Sequence, residues 1–266
     1  MELHNKRIVL TGATGGIGQL LAVELVKKGA KLALVGRNAE RLTQLQQQLD
    51  SKQCFSIVAD LNQQNAIQTV QQQVEEKWGG LDILLNNAGK MYFGEFTQQT
   101  PDNIQQILKV NLTTPMLLTH ALLPMMLKQN SGSIVNIGSV FGGLGFPYYT
   151  TYCSSKFALR GFSESLRREL KANGIKVLYI APRAIKTAMN GGILVEVHKA
   201  TKTNIDEPET VVAQIIRAIE RDKQEVTLGQ PESFFMRLNM LLPKWVDGAL
   251  TKQTAIMAKF AKKAHD

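Results

Sequence analysis

The sequence predicts an α/β protein: a doubly wound parallel sheet of about seven strands, helices on both faces, and a helical extension at the C-terminus. Short β-rich runs alternate with longer helical patterns as far as Pro182. The runs are apolar without clean alternation, as strands are when both faces of a sheet are covered. A glycine cluster follows the first run directly, where such sheets hold ligands. The 266 residues, 44% hydrophobic and 20% charged, suit a folded domain and exclude a disordered or collagen-like chain.

The elements follow in order. Arg7–Thr11 reads as a strand, Ile17–Lys28 as a helix stopped at Gly29, and Lys31–Val35 as a second strand. Asn38 opens a Gln- and Leu-rich helix, Phe55–Val58 is a third strand, and Asn62–Trp78 is another Gln-rich helix. Both Gln-rich stretches keep apolar residues at helical spacing, so they are solvated helix faces. Ile83–Leu85 is a fourth strand, a helical region follows Pro101, and Ser133–Ile137 is a fifth strand. A long helix near Ser154–Asn173 precedes a sixth strand at Lys176–Ile180. Beyond Pro182 the pattern loosens through Gly191-Gly192 and a polar stretch, then gives a helix at Pro208–Arg221 and a short strand at Val226–Leu228. We expect one domain over 1–230, with 231–266 a helical extension packed on the domain, a subunit or a membrane surface.

Composition excludes several functions. Cys54 and Cys153 form no disulfide framework, which fits a reducing compartment. Four scattered histidines, His4, His120, His198 and His265, offer no metal-ligand spacing. No secretory leader is read at Met1–Lys6, and the longest apolar stretch, Met116–Leu127, is shorter than the ~20 residues of a spanning helix. A cytoplasmic protein is expected. The net charge of +9 is concentrated, +7 over Thr150–Thr203 and +3 over Gln230–Asp266. Such a field attracts anionic substrates, phosphates or lipid. No nucleic-acid motif accompanies it, so nucleic acid is not expected as a partner.

The glycine cluster reads Thr11-Gly12-Ala13-Thr14-Gly15-Gly16-Ile17-Gly18. Gly12 permits a tight turn, Gly16 lets backbone approach a pyrophosphate, and Gly18 lets the helix pack closely. Free N–H groups and the positive end of the helix dipole then face phosphates. A glycine cluster alone is an ordinary strand-to-helix turn; its place in a βαβ pattern points to a dinucleotide. Where an acid would grip the ribose of NAD, the second strand ends Val35-Gly36-Arg37-Asn38. Arg37 can pair with the 2′-phosphate of NADP instead.

Further segments make a likeness specific. Asn86-Asn87-Ala88-Gly89 follows the fourth strand, Asn111 lies in a helix, Ser139 follows the fifth strand, and Tyr152 and Lys156 form Y-x-x-x-K. With the glycine loop, this resembles the single-domain, Rossmann-like form of the short-chain dehydrogenase/reductase family over about residues 5–190. The resemblance implies that Gly12, Thr14, Gly16, Ile17 and Gly18 hold the cofactor phosphates. It implies that Asn87, Ala88 and Gly89 line the adenosine side and that Asp60 and Leu61 meet the adenine, although Asp60 also suits a turn. Pro182–Thr187 resembles the family's nicotinamide loop, in which Pro182, Ile185 and Thr187 would serve. The family's glycine after the proline is here Arg183, whose guanidinium would favour a nearby anion, and Gly15 stands where many NADP-using members carry a basic residue.

Tyr152 and Lys156, four apart on a helix, share one face. A tyrosine pKa near ~10 is poorly suited to neutral pH, and a nearby ammonium and an oxidised nicotinamide would lower it. The resemblance makes Tyr152 the proton donor and acceptor, Ser139 the hydrogen-bonding partner of the same substrate oxygen, Lys156 the holder of the nicotinamide ribose, and Asn111 the positioner of a water. Without the other motifs, this pair would read as a packed ring and a solvated amine. Met91, Phe93, Phe141, Leu144, Phe146 and Met189 are expected to wall a pocket for a lipophilic carbonyl or alcohol. The C-terminal segment, Ser233–Trp245 with a second run ending in Met257, Phe260 and lysines, reads as an amphipathic helix pair. It would cover the substrate pocket or lie peripherally on an anionic membrane, or else dock on the protein body or a sister subunit. The family usually pairs through the helices carrying Asn111 and Tyr152, so a homodimer or homotetramer is expected. The reading is an NADP(H)-dependent oxidoreductase interconverting a carbonyl and an alcohol. A 3-oxoacyl-carrier-protein reductase and a non-catalytic NADP-binding sensor or scaffold are the alternatives.

Overall fold

The computed structural model describes residues 1–49, 52–63 and 65–265. Seven strands, β1 (Arg7–Thr11), β2 (Lys31–Gly36), β3 (Cys54–Val58), β4 (Ile83–Asn86), β5 (Gly132–Ile137), β6 (Ile175–Ala181) and β7 (Glu225–Thr227), form one sheet. Their order is β3-β2-β1-β4-β5-β6-β7, with every pairing parallel. The direction of winding therefore reverses between β1 and β4, and ligands of such sheets bind at the strand ends beside that reversal.

Apolar residues on both sides of each central strand explain the layers. On one face α1 (Gly16–Lys27), α2 (Ala39–Gln48) and α8 (Pro208–Glu220) bury Leu21, Leu25, Leu42 and Ile215 against Ile8, Leu10, Leu34 and Leu85. On the other, α3 (Ala66–Trp78), α5 (Thr114–Gln129) and α6 (Thr150–Glu169) bury Val70, Leu118, Leu122 and Leu166 against Val9, Val35, Leu84 and Val177. Asn38 caps α2 by accepting from the Arg41 N–H at 2.8 Å, and Thr100 caps α4 (Pro101–Leu108) by accepting from that of Asn103 at 3.2 Å. Both are the short polar side chains that satisfy open helix N–H groups.

Several boundaries differ from the sequence reading. α3 starts at Ala66 rather than Asn62, because Asp60 Oδ1 accepts from Asn62 N and Nδ2 and ties residues 60–62 into a turn; Gln64 lies outside the described residues. Asn111 sits in a single π-helical turn, Lys109–Thr113, between α4 and α5 rather than in regular helix. By length and composition alone, the continuous helical stretch Pro101–Gln129 is apolar enough to cross a membrane, which the sequence reading denied to its Met116–Leu127 core. It lies on the sheet, with Leu118, Leu122 and Met126 buried. The loosened region after Pro182 contains a helix, α7 (Ile193–Thr201), whose Leu194, Val197 and His198 are buried. Pro243 splits the C-terminal segment into α9 (Glu232–Leu241) and α10 (Pro243–Ala261). α10 packs along α7, and α9 rests on the turn after β5 through Met236 and an Asn239 Nδ2 donation to Gly143 O at 3.0 Å.

Candidate active site

Two adjoining hollows open at the carboxyl ends of the strands. The larger, about 730 Å³, runs from the glycine loop past the ends of β2 and β4 to Tyr152 and the 182–190 segment. Beneath it, Thr11 joins two loops. The buried Thr11 Oγ1 accepts from the N–H groups of Asn87 at 3.0 Å and Ala88 at 3.1 Å. Asn87 Nδ2 returns two bonds, to Thr11 O at 3.1 Å and Gly12 O at 3.3 Å. The loop after β4 is thereby fastened to the loop after β1. Gly12 holds φ +64°, and a Cβ there would meet Ala88 Cα at 2.9 Å. At Gly18 a Cβ would stand 2.1 Å from Gly12 O, which is why the helix can start so close to the turn. Gly16 faces Thr187, whose Cγ2 would be 2.8 Å from an added Cβ; this glycine makes room for the 182–187 segment as well as for backbone approach.

The donor set fits a dinucleotide. Gly15 precedes α1 with no side-chain cap and the first turn carries no acid, so the amino end of α1 offers open N–H groups to phosphate. Buried Asn87 Oδ1 and Asn62 Oδ1 have no hydrogen-bond partner within the described residues. Gly12, Thr14, Gly16, Ile17, Gly18, Arg37, Asp60, Leu61, Asn87, Ala88, Gly89, Tyr152, Lys156, Pro182, Ile185 and Thr187 all line this hollow. Arg41, one helical turn after Arg37, lines it too. Its only sequence signal is a position four residues beyond Arg37 at the start of a capped helix.

Asn111 is fully buried, and its π-helical turn aims it at two elements. Its Nδ2 donates to Lys90 O at 2.8 Å and Ser155 Oγ at 2.9 Å, while its Oδ1 accepts from Lys90 N at 2.8 Å. Ser155 Oγ in turn donates to Tyr152 O at 2.7 Å. Asn111 thus locks α6 to the loop after β4. Lys156 Nζ donates to Ile137 O at 2.8 Å and lies 5.8 Å from the centroid of the Tyr152 ring. Ser139 Oγ accepts from Phe141 N at 3.1 Å, and Ser139 and Tyr152 both line the junction of the two hollows. Tyr179, which the sequence reading passed over as a strand residue, buttresses this serine: its hydroxyl contacts Ser139 N and O, each at 3.3 Å. Gly138 and Gly142 leave the space it fills, since an added Cβ would lie 2.1 Å and 2.0 Å from its ring or hydroxyl.

Within the polypeptide, burial governs the electrostatics of both groups. Burial pushes Tyr152 up to about 12, against a downward pull from the Ser139 side chain, and burial pushes Lys156 down to about 8. Desolvation wins over attraction because the ammonium is held by the Ile137 carbonyl rather than by the phenol.

The second hollow, about 270 Å³, begins at Ser139 and Tyr152 and continues between Phe141, Leu144, Phe146, Tyr149, Met189, Val197 and the C-terminal helices. Of the expected wall residues, Met91, Phe141, Leu144, Phe146 and Met189 line it. Phe93 stands behind the wall, its ring 5.1 Å from that of Tyr149. Phe235, Val246, Leu250 and Met257 line the far side, which sets the C-terminal helix pair over this hollow, one of the positions expected for it.

Arg183 does not present a free cation. Its guanidinium pairs with Asp206 at 2.7 Å and Glu232 at 2.9 Å and donates to Gln230 O at 2.7 Å. These partners hold it strongly protonated. The residue that replaces a glycine therefore ties the 182–187 segment to the start of α9.

A parallel sheet with a glycine loop at its winding reversal, and a buried serine, tyrosine and lysine beside it, defines a nicotinamide-dependent oxidoreductase. A model of the short chain dehydrogenase family matches residues 6–196. The chain is 32% identical over 257 residues to dehydrogenase/reductase SDR family member 7B of Bos taurus, covering 91% of this chain and 79% of that one. It is 38% identical over 189 residues to nodulation protein G of Rhizobium sp. (strain N33), covering 71% and 76%. A solved short-chain dehydrogenase from Streptomyces avermitilis superposes with a TM-score of 0.79 at 28% identity, covering 95% of this chain and 97% of that one. The protein belongs to the short-chain dehydrogenase/reductase family. It is an oxidoreductase of that family, whose members bind NAD or NADP and act on small molecules.

Replacing Arg183→Gly removes both ion pairs. Amide hydrogen exchange over 231–241 is expected to speed up by about tenfold or more, since partly buried pairs of this kind contribute ~1–3 kcal/mol. Unchanged exchange there would show that α9 is held by Met236 and Asn239 alone.

Proposed function

We propose that the enzyme is NADP(H)-dependent and interconverts a lipophilic carbonyl with its alcohol by hydride transfer. The observation that carries this reading is the buried set Ser139–Tyr152–Lys156 at the junction of the two hollows, one lined by open helix N–H groups and the other by apolar side chains. Bound NADPH would supply the hydride. Tyr152, protonated throughout the neutral range, donates its proton to the substrate oxygen in reduction and recovers it in oxidation. Ser139, oriented by the Phe141 N–H and by Tyr179, hydrogen-bonds the same oxygen as charge develops on it. Lys156 keeps a positive charge close to the phenol and holds the ribose, and Asn111 fixes the helix that carries both.

Arg37 and Arg41 on the rim beside β2 support NADP over NAD, because that end of the cleft offers a 2′-phosphate two guanidinium groups. The apolar C-terminal lining of the second hollow favours a free lipophilic carbonyl over a 3-oxoacyl group on a carrier protein. The full acid–base set favours an enzyme over a sensor. Buried Cys54 and Cys153 suit the cytoplasm. Exposed Met116 and Leu117 on α5 and Phe157 on α6 support a homodimer or homotetramer through that face. The C-terminal segment adds peripheral contact with a membrane.

Tyr152→Phe is expected to abolish NADPH consumption over a panel of lipophilic ketones and aldehydes while NADPH still quenches protein fluorescence; an active variant would overturn the reading. Arg37→Ala is expected to raise KM for NADPH about tenfold and leave NADH nearly unchanged, as loss of a charged hydrogen bond costs ~1.5–3 kcal/mol; equal losses would remove its role. Lys156 carries its proton below about 8 and loses it above. The kcat/KM for nucleotide, which reports the free enzyme, should therefore be level at neutral pH and decline above that value, and a profile level to pH ~10 would contradict the assignment.

A further inference from the structure

The fold leaves one surface that the proposed chemistry does not use. α9 is anchored through Ser233, Met236 and Asn239, so its opposite side faces outward. A soluble helix places polar residues there. Here that side and the turn into α10 carry Phe234 (59% exposed), Leu241 (78%) and Trp245 (74%), with Leu242 also exposed. Between Phe234 and Val246 the chain has two cations, Arg237 and Lys244, and no acid. The Gln230–Asp266 stretch is positive overall, as is the chain.

From these observations we infer that the α9–α10 turn docks on an anionic lipid bilayer and opens the second hollow toward it. This deepens the reading of a lipophilic carbonyl substrate and rests on it for the delivery step. A bilayer fits the surface in two ways. Leucine, phenylalanine and tryptophan side chains on a convex turn enter the boundary between headgroup and acyl chain, while flanking Arg and Lys pair with anionic headgroups. A second copy fits poorly, because pairing this face with itself would bring Arg237 and Lys244 against their own counterparts. The link to the active site is direct. Phe235, adjacent to Phe234, lines the hollow, as do Pro231 and Glu232 at the start of α9 and Val246, Ala249 and Leu250 on α10. The two helices that present the apolar turn to solvent therefore also form the outer wall of the substrate site. A carbonyl compound dissolved in acyl chains reaches Tyr152 by passing between them, without crossing water.

The test uses the whole protein and vesicles of phosphatidylcholine with or without phosphatidylglycerol. Co-flotation is expected with the mixed vesicles and to fall at least about fivefold with phosphatidylcholine alone. Trp245 emission should shift to the blue on binding, whereas Trp78, part-buried and edge-on to Phe55 at the end of α3, should not respond. The double variant Leu241→Asp/Trp245→Asp lies outside both hollows. It should keep its thermal unfolding temperature and its turnover of a water-soluble aldehyde. It should lose vesicle binding by about tenfold or more, and turnover of a long-chain ketone carried in mixed vesicles should drop in step. Wild-type protein that stays with the aqueous phase, or a double variant that floats as well as wild type, overturns the proposal. A double variant that changes from oligomer to monomer, with no vesicle binding in either form, overturns it in favour of self-association. Flotation needs no catalysis, so a protein that binds vesicles yet reduces no carbonyl would refute the proposed reaction and leave the docking surface standing.

Discussion

A threonine hydroxyl at the end of β1 is the constraint on which the rest of this molecule depends. Thr11 Oγ1 receives the N–H groups of Asn87 and Ala88, and Asn87 sends its amide back to the Thr11 and Gly12 carbonyls. The two strand ends that diverge at the winding reversal are thereby held at a fixed separation, and a cleft follows from their divergence. Gly12 and Gly18 exist in this arrangement to let backbone meet backbone, since any side chain would collide with Ala88 or with the Gly12 carbonyl. The phosphate-binding end of the site is thus a by-product of sheet topology, fastened by four hydrogen bonds.

The reacting end is organised by burial. A phenol and an ammonium have both been taken out of water, and each is pushed toward its neutral form. The protein offsets that cost with a web of short polar links: Asn111 to Ser155, Ser155 to the Tyr152 carbonyl, Lys156 to Ile137, Tyr179 to Ser139. A second web, Asn86 to Asn136 to Ser163, crosses from β4 through β5 into α6 and fixes the height of that helix over the sheet. Pre-set geometry of this kind lets a proton move with little rearrangement.

Much of this was legible in the sequence because it is local. Each strand of the sheet announces itself as an apolar run, and Asn38 and Pro101 mark helix starts by their own chemistry. The glycine loop, Ser139 and the Tyr152–Lys156 spacing need only a few residues of context. What was illegible depends on contacts between distant segments. Helix α7 hides behind Gly191-Gly192 and a polar surface; its buried side shows only once α10 lies against it. Arg41 reads as an ordinary helix residue until the cleft edge is known, and Tyr179 as an ordinary strand residue until Gly138 and Gly142 are seen to leave space for it. Arg183 reads as a departure from a loop pattern, and the carboxylates that occupy it come from positions 206 and 232. The desolvation of Tyr152 and Lys156 was not legible either, because burial is a property of the finished fold and spacing does not reveal it.

The tie between Arg183 and Glu232 bears on how the protein is handled. Trimming a tail is a common step in preparing crystals or fusing a reporter, and a cut made before position 232 would take one carboxylate from this guanidinium and strip the outer wall from the apolar hollow. The shortened protein would keep its sheet and glycine loop and the Arg183–Asp206 pair, yet lose the link from the 182–187 segment to α9. Rates measured on a chain trimmed there therefore describe a different catalyst.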